Sequence, residues 1–142
     1  MTPRLCLIVL ALVVGVARAA TVEQPRAFGH VIGDVLTQRV LLQHDGHDVA
    51  AKAPPPERVG LWFERRPARV ERDSEGRRWL VLEYQVINAP RDLERVSLPA
   101  LAIATEAGAP LSLPAWPVSI GPLAPGDAFE AMRPDRLVAP CP

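Results

Sequence analysis

Two histidines and two aspartates lie within one short stretch of the 142-residue chain, His44-Asp45-Gly46-His47-Asp48. Imidazole nitrogens and carboxylate oxygens suit Zn²⁺ or Cu²⁺, but such ions are usually held by about three or four protein ligands on rigid elements. Asp and Gly are also ordinary turn residues. The stretch therefore reads as an exposed turn, with His44, Asp45, His47 and Asp48 as the chain's candidate metal ligands. It lacks the ligand spacing and terminal Glu of an EF-hand loop. Nucleophilic chemistry has less to work with. There is no G-x-S-x-G elbow. Cys141 sits beside the last residue, between prolines, with no base placed near it. The inventory predicts a protein that is not an enzyme and carries no cofactor.

Recognition of another protein is better supplied. Trp62 and Trp79 each alternate with the most apolar residues of their segments, so both are expected on an outer face. If their segments pair, the two rings and Arg58 and Arg78 form one patch, and Trp beside Arg is favoured at protein interfaces. The stretch Arg65-Arg66-Pro67-Ala68-Arg69-Val70-Glu71-Arg72 is interleaved with carboxylates. It reads as a solvated hairpin face with cross-strand ion pairs.

The elements that would position these groups are strands. Leu36, Val40 and Leu42 share the even face of a segment rich in strand formers. Arg58 to Glu64 alternates as one strand, with Val59, Leu61 and Phe63 pointing one way. Arg78 to Asn88 is the strongest strand; Leu80, Leu82, Tyr84 and Val86 face a core, and the Tyr84 hydroxyl is expected to find a backbone partner. Asp73-Ser74-Glu75-Gly76 reads as the turn of a hairpin ahead of it. Further short strands are expected around Leu93–Leu98, Leu101–Thr105 and Leu111–Leu123, interrupted by Pro99, Pro114 and Pro117. About seven short strands, with turns between them and no long helix, predict an all-β, immunoglobulin-like β-sandwich. A small barrel is the alternative.

Charge balance excludes some partners. Sixteen basic residues face sixteen acidic ones, which argues against a nucleic-acid binder. Arg4 followed by the uncharged run Leu5–Val16 and by Ala17-Arg18-Ala19 has the form of a signal helix with a small-residue cleavage site. Residues 1–19 are thus expected to be a cleaved signal peptide, 20–124 the β-sandwich domain and 125–142 a Pro-containing tail with one helical turn near Asp127–Met132. Export implies the periplasm. Cys6 leaves with the signal, so Cys141 has no partner for an internal disulfide.

Several blocks taken together resemble a known family: Pro25-Arg26-Ala27-Phe28-Gly29-His30-Val31-Ile32-Gly33-Asp34, Tyr84-Gln85-Val86-Ile87-Asn88-Ala89-Pro90, Leu98-Pro99-Ala100-Leu101, Ala115 to Leu123 and Arg133-Pro134-Asp135. They are similar to the periplasmic domain of MxaA-like methanol-oxidation accessory proteins and, more distantly, to BatD-type proteins. The shared positions are structural Gly, Pro and aromatic residues. The resemblance implies an immunoglobulin-like periplasmic domain that binds a periplasmic or membrane protein partner. By analogy it aids maturation, through calcium insertion, of a quinoprotein dehydrogenase. Relatives commonly continue into a membrane-spanning segment after the Arg-Pro-Asp block, and that anchor is not carried over to a chain written only to Pro142.

Overall fold

The structure is a computed structural model and describes residues 18–124. Residues 1–17 of the expected signal peptide, the tail from Pro125 and Cys141 lie outside the described residues, whereas the last two residues of that 1–19 segment, Arg18 and Ala19, are described as a short strand. Within them the chain is all-β, in mainly antiparallel sheets, with no helix.

The main sheet is built around the strand that the sequence marks most strongly. β9 (Arg78–Val86) pairs along one side with β3 (Val35–Leu41), Leu36 opposite Tyr84 and Val40 opposite Leu80. β2 (Val22–Glu23) extends the sheet beyond β3. The other side of β9 is shared by β7 (Phe63–Arg65) and β8 (Arg69–Arg72). Their registers differ by one residue, so Arg66–Ala68 holds an extra residue against β9. A bulge is where a ladder tolerates Pro67, which has no N–H to give.

β6 (Glu57–Val59) completes the sheet against β7, with Val59 opposite Phe63. This corrects the expectation of one strand from Arg58 to Glu64. The chain reverses at Gly60, Leu61 and Trp62, and Gly60 takes φ +62°, a conformation open to glycine at no steric cost. Leu61, expected to point inward with Phe63, lies in the turn and is exposed.

The second layer is one long ribbon. β10 (Glu94–Leu98) pairs with β13 (Trp116–Ile120), and β11 (Leu101–Ile103) with β12 (Leu111–Leu113). Both pairs keep the same register, as Leu98 opposite Trp116 and Leu101 opposite Leu113 show. Only Pro99-Ala100 and the facing Pro114-Ala115, each with a proline that has no N–H to give, interrupt the ladder. β1 (Arg18–Ala19) runs parallel to β12, and the Ala20 N–H reaches the Ser112 carbonyl at 3.1 Å. The stretch 18–23 therefore joins both layers, β1 on the ribbon and β2 on the main sheet.

The faces of the two layers meet in one hydrophobic cluster. Leu36, Val40, Phe63, Leu80, Leu82, Tyr84 and Val86 come from the main sheet, and Leu98, Ile103, Leu111, Leu113, Val118 and Ile120 from the ribbon. Alternation along β3 and β9 delivers these side chains inward, as the sequence predicts. Phe63 and Tyr84 meet edge to face at 6.5 Å. The Tyr84 hydroxyl is buried without a hydrogen-bond partner, contrary to expectation. Burial pushes its pKa up, while the neighbouring Arg65 guanidinium pulls the other way.

Candidate partner-binding surface

His44–Asp48 is a two-residue hairpin. β4 (Gln43–His44) returns as β5 (His47–Asp48), and Asp45 and Gly46 have φ +50° and +81°, the type I′ signature. The turn sets His44 directly opposite His47. His44 Nε2 approaches Asp45 Oδ2 at 3.4 Å, while Asp48 accepts from Gln43. No group of three or more His, Cys, Asp or Glu side chains among the described residues is arranged to hold a metal ion. His44, Asp45, His47 and Asp48 thus share an exposed turn without forming a rigid ligand set.

The structure does not bring the residues of the expected Trp–Arg patch together. Trp79 does lie on the outer face of β9, outside the main cluster, but it is only 3% exposed. The Arg39 guanidinium stacks over its ring at 4.8 Å, and Arg77 approaches from the hairpin turn at 5.7 Å. Its indole N–H donates to Asp73 Oδ2 at 2.9 Å. Asp73 also accepts from the backbone N–H of Glu75 and Arg77 and from the Arg77 guanidinium. The indole bond first, and the Arg77 contacts after it, hold the Asp73 carboxyl below the usual carboxylate range.

Trp62 is elsewhere. It occupies the β6–β7 turn, half-buried against the core, and its carbonyl accepts from the Ile87 N–H at the far end of β9. The length of β9 separates the two tryptophans. Arg78 alternates with Trp79 and so points to the opposite face. Arg58 is exposed opposite Glu64, with its guanidinium on the Gly60 carbonyl. Trp62, Trp79, Arg58 and Arg78 therefore do not make one surface.

The basic stretch behaves as an ion-paired face, with Arg69 bridging Glu83 at 2.7 Å and Glu71 at 2.8 Å. Arg65 is the exception. It is buried, donating to the Pro55 carbonyl and pairing with Glu57.

The exposed apolar side chains of the second layer lie at one end of the ribbon and along the edge of β13 beside Pro117–Ser119. Phe28, Leu93 and Leu123 are the most exposed large apolar side chains described, at 73%, 72% and 69%. Leu93 precedes β10, Leu123 follows β13, and Phe28 belongs to a segment bound to the outer edge of β13. That segment is tied down by the Ser119 N–H on the Ala27 carbonyl and the His30 N–H on the Ser119 carbonyl. Buried His30 holds it from within: Nε2 donates to the Arg26 carbonyl at 2.8 Å, and Asp34 lies 3.7 Å from Nδ1. Arg26 caps the Gly29 carbonyl, and Gly29 takes φ +77°. Phe28 is presented by a built loop.

Beside Leu123, Ala89–Asp92 and Pro122–Ala124 line an open cleft of about 590 Å³, mainly apolar, with Arg91 and Asp92 on its rim. Leu61 is exposed nearby, since the Asn88 side chain donates to its carbonyl. Sequence reasoning missed this surface because Leu93 stands alone between Asp92 and Glu94, and Leu123 between Pro122 and Ala124. Only the register of the ribbon brings them to one end.

Compared with protein-family models, with curated proteins and with solved structures, the chain has no match.

Proposed function

We propose that the chain is an exported, non-enzymatic accessory protein with an immunoglobulin-like β-sandwich that docks a protein partner through the ribbon end bearing Leu93 and Leu123. The observation that carries the reading is that Leu93 and Leu123, two of the most exposed large apolar side chains described, stand at the same end of the ribbon, where Leu123 lines a mainly apolar cleft. Contiguous exposed apolar surface marks interaction sites, and a few desolvated anchors carry most binding energy. The balance of charge leaves little long-range steering, so affinity rests on such anchors. The MxaA-like blocks suggest the biological setting, assembly of a periplasmic quinoprotein dehydrogenase, with the signal-like start supplying export.

A photo-crosslinking residue at position 93, in the tagged full chain expressed in its own host, tests this directly. The expected product is a cross-link to an exported quinoprotein dehydrogenase subunit. The double variant Leu93→Asp, Leu123→Asp should lose it while its circular-dichroism melt stays that of wild type. Capture that survives both substitutions in a folded protein overturns the site. A cross-link confined to an unrelated class of protein overturns the dehydrogenase setting.

A further inference from the structure

The ribbon also has an unpaired edge. Among the described residues β10 pairs only with β13, and no other backbone hydrogen bond reaches Glu94–Leu98. The direction of its free groups follows from β13. Ser119 spends its N–H on Ala27 and its carbonyl on His30, and Gly121 donates to His30. Ser119 thus faces away from β10, which makes Arg95 opposite Ser119 a non-hydrogen-bonded pair. Arg95, and by alternation Ser97, point both N–H and C=O to the open edge. Pro117, opposite Ser97, faces away in the same sense, so its missing N–H costs the β10–β13 ladder nothing.

The other exposed edges are shorter. β6 is three residues long and follows Pro54-Pro55-Pro56. β8 has charged side chains at Arg69, Glu71 and Arg72. β11 is three residues long, and the chain just after it is covered, Ala104 and Glu106 bonding to Lys52 and Ala50. β10 is the longest open edge described, five residues, and its N-terminal end runs into the apolar cleft beside Leu93.

We propose that β10 accepts an extended strand from a partner protein. The strand's backbone pairs with the N–H and C=O of Arg95 and Ser97, and an apolar residue at its end fills the cleft between Ala89–Asp92 and Pro122–Ala124. Main-chain bonds supply affinity in such strand addition and alternate side chains supply selectivity. Here Glu94 and Arg95, both exposed, select opposite charges across the new pair. The inference rests on the reading that this end of the ribbon binds a protein, and it specifies how.

The probe is a displayed library of random linear peptides, selected on the full chain and followed by amide hydrogen exchange. Selected peptides should slow exchange at Arg95 and Ser97. Ser97→Pro removes an outward N–H while sparing the β10–β13 ladder, so it should fold and weaken peptide binding at least about tenfold. Failure to select any peptide, protection at other amides, or equal binding by folded Ser97→Pro overturns strand addition. So does protection of Arg95 and Ser97 in the free chain, whether relieved by removing residues 125–142 or by dilution from a dimer. If Ser97→Pro does not fold, the exchange pattern of the wild-type chain decides alone. Loss of binding in Leu93→Asp but not in folded Ser97→Pro keeps the docking site and rejects the strand.

Discussion

Tyr84 buries its hydroxyl beside the Arg65 guanidinium without a hydrogen bond of its own. A buried, unpartnered polar group costs free energy that its apolar counterpart does not. Tyr84→Phe keeps the ring and its edge-to-face contact with Phe63. The variant is therefore expected to melt at or above the wild-type temperature, a gain of up to about 1 kcal/mol. A fall of that size would show that the hydroxyl is satisfied in solution. The position of the ring was legible in the sequence, because Leu80, Leu82, Tyr84 and Val86 alternate cleanly. Its isolation was not. The hydroxyl's surroundings come from Arg65 across the strand pair, whose guanidinium lies beside it yet bonds Glu57 and the Pro55 carbonyl.

The β8–β9 hairpin shows what one side chain does for an element. Asp73 closes the turn on the backbone N–H groups of Glu75 and Arg77 and anchors Trp79 and the Arg77 guanidinium. Its pKa is lower in the folded chain than in the unfolded one. The stability it contributes is thus present above the ordinary carboxylate value, about 4, and is lost as pH falls through the folded value. Asp73→Asn should melt lower than wild type at neutral pH, with the gap closing as the solution is acidified below about 4. Thermal melts across a pH series check this, and a gap that is constant with pH rejects the carboxylate as its cause. The Asp73–Gly76 turn was readable from turn chemistry alone. The reversal at Gly60 was not, since Val59, Leu61 and Phe63 continue an alternation straight through it. Trp79 was assigned to the correct face yet proved covered, because Arg39 arrives from β3 and Arg77 from the turn.

At the scale of the described residues, the all-β class and the core faces of β3 and β9 were written in local alternation, whereas the proposed docking surface was not. It depends on β10 and β13 ending together, which brings Leu93 and Leu123 to the same end. The unbroken register of the ribbon reaches beyond architecture into the order of folding. Its arms are joined by the short loop between Ile103 and Leu111, and they zip in one register on both sides of the facing prolines. β3 must find β9 across a much longer stretch of chain. Closing the shorter loop loses less chain entropy, so local pairing is favoured early. Conservative truncations should divide accordingly in stopped-flow chevrons. Ile103→Val in the ribbon is expected to slow folding, with φ above about 0.5. Val40→Ala in β3 is expected mainly to speed unfolding, with φ below about 0.3. The reverse ranking would mean that the main sheet nucleates first. In the expected order the ribbon exists before its sheet partner, and the open β10 edge is exposed from the earliest stage of folding, when a partner strand has its first opportunity to pair.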